Sequence, residues 1–167
     1  MNTSTHELIE KGKQRLYKND QDGAVVEFRK ALLADPDNDI TIGWLALGLT
    51  MLSKHDEAHD LIRNVNESSC AEIYIARGLL FGKRDENPQK ALENYNHAIS
   101  IDPNNQLAYI IRGMEFVYSD LEIEATSDLE KALAINQSAY ALFSFASMKL
   151  MLGDVEGALN YCNKAIE

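Results

Sequence analysis

The sequence predicts an all-α solenoid, a row of short helix pairs laid side by side, and three observations carry that expectation. Alanines return with a near-constant period: Ala24, Ala58, Ala91, Ala125 and Ala158 are 34, 33, 34 and 33 residues apart. Seven residues after each stands a second small or short apolar residue, Ala31, Val65, Ala98, Ala132 and Ala165. Residues at i and i+7 share one helix face two turns apart, so each such pair lets another helix come close. Finally, no stretch alternates apolar and polar residues as a half-buried strand would. Five copies in register argue for stacked repeats rather than a single globular core.

The elements follow in order. Ser4 with Glu7 fits a capping box, so a first helix is expected from about residue 5 to Lys18, broken by Asn19-Asp20. A second runs from Asp22 to Ala34 and stops at Asp35-Pro36-Asp37-Asn38, because proline lacks an amide hydrogen and disfavours helix in the residue before it. Asp39 is expected to cap a third helix reaching Leu52, and a fourth spans Asp56 to Val65. The polar link Asn66-Glu67-Ser68-Ser69 replaces the proline turn there. A fifth helix runs from Ala71 to Phe81, and after the loop Gly82 to Asn87, Pro88 suits the first position of the sixth. That helix ends at Asp102-Pro103-Asn104-Asn105, a near copy of the earlier turn. The rest fall near Gln106–Tyr118, Ile123–Ile135, Ser138–Leu152 and Val155–Ile166. Ten helices of about 11 to 15 residues with short links make five antiparallel pairs.

Composition narrows the classes of action. The net charge of −10 argues against a nucleic-acid or anionic-membrane surface. No apolar run approaches the roughly 18 residues of a membrane span, and the first five residues carry neither a basic nor an apolar signal region. Cys70 and Cys162 stand far apart without a CxxC pairing and suit free thiols in a reducing compartment, so cytoplasm is the expected location.

On these residues the chain resembles the tetratricopeptide-repeat family across nearly its whole length. The first copy carries Gly12, Ala24, Phe28, Ala31 and Pro36 at the family's spacing. Tyr74-Ile75-Ala76-Arg77-Gly78 of the third copy returns 35 residues later as Tyr109-Ile110-Ile111-Arg112-Gly113. Copy two departs, with Trp44, Leu47 and Gly48 about two places late, and copy five has Ala146 and Cys162 where a glycine and an aromatic are usual. The resemblance implies one repeat domain over residues 1–167, with copies near 5–38, 39–70, 71–105, 106–138 and 139–167. It also implies a right-handed superhelix whose concave side is lined by the first helix of each pair.

Leu8, Gly12, Tyr74, Gly78, Tyr109 and Gly113 would then face the second helix of their own repeat. Arg77 and Arg112 stand where many repeats carry leucine. Asp128, three residues after Ala125, is placed to pair with Arg112, and Asn94 offers Arg77 a neutral acceptor. The family's ligand-facing pattern selects Ile9, Lys13 and Tyr17, then Leu47 and Met51, then Ile75 and Leu79. From the fourth copy it selects Leu107, Ile110, Met114, Val117 and Tyr118, and from the fifth Tyr140, Phe143 and Met151. Most are apolar and three are methionines, which adapt to irregular partners. The basic clamp by which some relatives hold a chaperone's C-terminal carboxylate is reduced here to Lys13. The other matching places hold Ile9, Trp44, Glu72 and Ala76.

No catalytic constellation competes with this. His55-Asp56-Glu57-Ala58-His59 approaches a zinc helix, but aspartate replaces the glutamate and Ala58 belongs to the buried period. Glu122, Glu124, Asp128 and Glu130 read as a solvated face, since one helix cannot hold an acid and a base across a cleft. His6 and His97 read as solvent-facing, and Cys162 as core-facing and inert. The expected function is a non-catalytic module, without cofactor or metal, that binds an apolar or amphipathic segment of a protein partner in the concave groove. Two alternatives stand beside it. One is a chaperone of the bacterial secretion type for an exported substrate. The other is a self-associating element, pairing as a homodimer through the concave face or through a last repeat that has no capping helix after it.

Overall fold

The computed structural model describes residues 4–18, 20–65 and 68–166. Among them are ten α-helices and no strand. In order they are α1 (Thr5–Tyr17), α2 (Gln21–Ala34), α3 (Asp39–Met51), α4 (His55–Ile62), α5 (Ala71–Lys83), α6 (Pro88–Ile101), α7 (Gln106–Tyr118), α8 (Glu122–Ile135), α9 (Ala139–Met151) and α10 (Val155–Ile166). Two compact units contain them, Met1–Ile101 with α1–α6 and Asp102–Glu167 with α7–α10.

Side-chain caps set where most of these helices begin. Ser4 and Glu7 form the reciprocal capping box, with Glu7 N–H donating to Ser4 Oγ at 3.2 Å and Ser4 N–H to Glu7 Oε2 at 3.1 Å. Asp20, Asn38, Asn105, Ser138 and Asp154 each accept an amide hydrogen three residues on, answering donors that a helix start otherwise leaves unpaired. The cap of α3 is therefore Asn38, not Asp39: Asn38 has extended backbone, whereas Asp39 is the first helical residue. There its charge still meets the positive end of the helix dipole. Helix α4 is also shorter than the pattern suggests, with 8 residues. Its only buried residues are Ala58 and Ile62, and past Ile62 the chain turns, with Val65 N–H donating to Ile62 C=O at 3.1 Å. Asn19, Asn66 and Glu67 lie outside the described residues.

In the first unit the first and third helix pairs close where a glycine meets a ring. A Cβ on Gly12 would clash with the ring of Phe28, and one on Gly78 with the ring of Tyr95. The next helix then packs on the pair: Gly48 of α3 lies against Val25 of α2, and Gly43 against Cys70 and Ile73 at the start of α5. In copy two the position facing the partner helix is Ala46, fully buried, and the residue at the aromatic's place is Ile62. A smaller partner leaves room for the extra methyl.

The second unit repeats the scheme with Leu129 in place of the ring, 3.1 Å from where a Cβ on Gly113 would sit. Its core joins Ile110 and Val117 of α7, Ala125, Leu129 and Ala132 of α8, and Ala141, Phe145 and Met148 of α9. Phe145 in turn stacks on Tyr161 of α10, centroids 4.5 Å apart. Gln106, buried at the first position of α7, ties three elements together. Its amide donates to Ala132 C=O at 2.9 Å and to Asn136 C=O, and its carbonyl accepts from Ser138 Oγ at 2.9 Å.

The expected Arg112–Asp128 pair is present and bidentate. Arg112 Nε and Nη2 reach Asp128 Oδ2 and Oδ1 at 2.7 and 2.6 Å, and both side chains are largely withdrawn from solvent. Arg77 instead lies over the ring of Tyr74, 5.2 Å from its centroid, while Asn94 Nδ2 donates back to Lys90 C=O at 2.8 Å.

Candidate functional site

The candidate site starts from two stripes in the second unit. On α9, Tyr140, Phe143, Ser147 and Met151 recur at three- and four-residue steps and so share one face. On α7, Met114 and Tyr118 stand one turn apart. Tyr118 is 68% exposed, Met151 53% and Phe143 46%, unusually open for side chains of this kind. Met114 and Tyr140 are half-buried, packed against the core cluster. Burial pushes the Tyr140 hydroxyl up, with a smaller push from Tyr118, so it stays a protonated donor at neutral pH. Ser147 Oγ donates to Phe143 C=O at 2.9 Å, which spends its hydroxyl inside the helix. The face offers sulfur, rings and phenol groups, a surface suited to an apolar partner with a few hydrogen-bonding groups.

Its surroundings are acidic. Between Arg112 and Lys131 the sequence carries Glu115, Asp120, Glu122, Glu124, Asp128 and Glu130 and no basic residue. Asp128 is held by Arg112. The whole unit has four basic and ten acidic residues, a net of −6.

Elsewhere the residues expected to line a groove sit differently. Ile9, Leu47, Ile75, Leu79, Leu107, Ile110 and Val117 are buried and present little or no surface. Lys13 is half-buried, bound to Glu10 at 2.8 Å and 5.4 Å over the ring of Trp44. Tyr17 is exposed and Met51 half-buried. Each of these helices had two apolar sides in the sequence, and burial decides between them only through neighbours the sequence does not name.

His55 is half-buried, and His59 Nδ1 lies 3.8 Å from Asp60. Among the described residues no group of three His, Cys, Asp or Glu is placed to hold a metal ion. Nor is any described helix long and apolar enough to cross a membrane. Cys70 is buried, its thiol pushed up to about 12 by desolvation and then by Glu72, to which it donates at 3.1 Å. His97 is exposed and tilts against Tyr74, centroids 4.2 Å apart. Sequence reasoning missed one feature, a cleft of about 510 Å³ beside α1 whose walls are mostly basic. Its signal was present: Lys11, Lys13, Arg15 and Lys18 fall within eight residues that contain no acid.

Comparison with known proteins agrees with this architecture. The tetratricopeptide-repeat profile matches residues 71–105, the third helix pair. Anaphase-promoting complex subunit 7 of Dictyostelium discoideum is 26% identical over 137 residues, covering 79% of this chain. The chain spans only 23% of that protein's length. A thermophilic tetratricopeptide-repeat protein of Thermus thermophilus superposes with a TM-score of 0.76 at 19% identity, over 98% of this chain and 90% of that one. YrrB, a tetratricopeptide-repeat protein with an unusual peptide-binding site, does so with 0.56 at 20% identity, over 96% and 84%. Repeats of this kind generally mediate protein–protein contacts and are typically non-catalytic. The profile match gives the chain a tetratricopeptide repeat at residues 71–105, and its period and fold are similar to those of tetratricopeptide-repeat proteins.

Proposed function

We propose that the protein is a peptide-binding module whose contact surface is the methionine–aromatic face of α7 and α9: Met114, Tyr118, Tyr140, Phe143 and Met151. The observation that carries it is the exposure of Tyr118, Phe143 and Met151 beside the half-buried Tyr140. Such a face, left to solvent, is the usual mark of an interaction site. The occupant is an apolar or amphipathic segment, with rings and aliphatic groups against the stripe. The acidic run after Arg112 favours basic residues flanking that segment. YrrB supports the reading at the level of fold alone, as a protein of this architecture with a peptide-binding site.

Peptides selected on the intact chain from a random library test it. Selected sequences should be apolar at several positions and basic beside them. Phe143→Asp and Tyr118→Asp should each weaken binding by about 2 kcal/mol, roughly thirtyfold, with little change in melting temperature because both side chains are exposed. Uniformly polar binders, or unchanged affinity in both variants, would remove this face from consideration. Ile110→Asp is no substitute as a probe: Ile110 is 1% exposed and the change would strike the core.

A second reading, self-association, rests on one periodic observation. Ile110, Val117 and Thr126 of α7 and α8 lie where α9 packs, the first two buried with it and Thr126 Oγ1 3.9 Å from Met148 Sδ. The residues 33 positions later are Phe143, Leu150 and Leu159, all large, apolar and exposed. A second copy would cover them. Light scattering decides it: a concentration-dependent dimer, lost in Leu159→Lys, supports this reading, and a monomer at every concentration excludes it.

A further inference from the structure

We infer that the basic cleft beside α1 and α2 is a docking site for an acidic peptide segment, separate from the methionine–aromatic face. The cleft holds about 510 Å³ and is lined by Leu8, Lys11, Gln14, Arg15, Lys18, Glu27 and Lys30. Four cations against one carboxylate is the reverse of the chain as a whole, which carries 26 acidic and 16 basic residues.

Internal pairing answers two of the four cations and leaves the other two. Lys30 Nζ holds Glu27 at 2.9 Å, so the one acid of the cleft is already answered. Arg15 Nη1 holds Asp20 at 2.6 Å, and the guanidinium keeps that carboxyl below the usual carboxylate range. Lys11 and Lys18 make no ion pair with any described residue. They are exposed, Lys11 within α1 and Lys18 at its C-cap, about two turns apart along the helix. Two lysines about 10 Å apart along the helix axis, over an open hollow with the aliphatic Leu8 in its lining, match successive carboxylates of a peptide better than one small anion. The hollow also admits the stems between those carboxylates.

Its position separates it from the proposed function. At 100° per residue Lys11, Arg15 and Lys18 point roughly 150° away from Ile9, Lys13 and Tyr17, the α1 residues of the family's ligand-facing pattern. On α1 the acids Glu7 and Glu10 precede the stretch, and none interrupts it. The charge is thus concentrated where the α1–α2 pair faces outward.

A fluorescein-labelled oligoglutamate peptide, with oligoglutamine and oligolysine of equal length as controls, tests the site on the full chain by fluorescence anisotropy. The glutamate peptide should bind, weaken as salt rises, and lose about tenfold in affinity with Lys11→Glu and Lys18→Glu combined. Lys11→Arg with Lys18→Arg should keep binding, and Lys131→Glu, an exposed charge on α8, should leave it unchanged. Phe143→Asp should also leave it unchanged, so failure here and failure of the α7–α9 face are read independently. Three results overturn the inference: equal binding of oligoglutamine, an equal loss with Lys131→Glu, or inorganic polyphosphate binding as tightly as the peptide at matched charge. Self-association lost only in the Lys11→Glu, Lys18→Glu variant would do so as well, by naming a second copy as the occupant.

Discussion

A single methyl group decides how close two helices of a repeat can come. Gly12 and Gly78 each stand under an aromatic ring, Phe28 and Tyr95, whereas Gly113 meets the slimmer Leu129. By repeat register, Ala46 of copy two is matched with Ile62, and Ala146 of copy five with Cys162. The rule is complementary volume across the pair, not glycine for its own sake. Gly78→Ala should therefore lower stability by about 1–3 kcal/mol, overpacking outweighing the better helix propensity. Gly113→Ala should be close to neutral, because its Cβ needs only a few tenths of an ångström from Leu129 and Asp128. Thermal unfolding of the two variants separates them, and equal losses would contradict the volume rule. The Arg112–Asp128 pair was legible from the offset to Ala125, since Asp128 lies one turn after a residue that must face α7. Arg112→Ala strands a carboxylate that is 7% exposed and should cost about 3–5 kcal/mol. Arg112→Met with Asp128→Leu should recover most of that, and no recovery would mean the pair is more than a matched burial. For the two thiols, Cys162 should react with iodoacetamide at neutral pH in the folded chain while Cys70 stays unmodified, because burial and Glu72 hold Cys70 protonated. Prompt labelling of Cys70 would show its cover to be loose.

At the scale of the helix, the start signals read well from sequence and the ends less so. Ser4, Asn105 and Ser138 announce their helices through an oxygen placed three residues before an amide that needs it. Asn38 and Asp39 offered two such oxygens in a row, and only backbone geometry chooses Asn38. The end of α4 depends on how much of it is covered, and two buried residues support two turns and no more. The same limit applied to the candidate site. Ile75 and Met151 both occupy the ligand-facing register, yet one is fully buried and the other half in solvent. Period places a residue on a face, but only the neighbouring helix determines whether that face is covered. Gln106 was invisible for a related reason: its three partners lie 26 to 32 residues away, at the ends of two other elements. Gln106→Ala should cost about 1–2 kcal/mol by leaving those groups unanswered. A stability unchanged from wild type would show water replacing the amide.

Across the molecule, charge and apolar exposure are distributed unevenly, and that distribution is what gives the repeats their separate surfaces. The second unit carries −6 of the total −10 and the open methionine–aromatic face. The first holds the basic cleft. Composition argued against polyanion partners from the average charge, and the average is silent about the basic stretch Lys11–Lys18. The proposed peptide binding depends most on the α7–α9 face being a surface for an apolar ligand. Calorimetry of a library-selected peptide, titrated over a range of temperatures into the intact chain and into Tyr118→Asp with Phe143→Asp, tests that directly. Burial of apolar surface predicts a clearly negative heat-capacity change, with binding lost in the double variant. A heat-capacity change near zero, or affinity undiminished by the two aspartates, would contradict it.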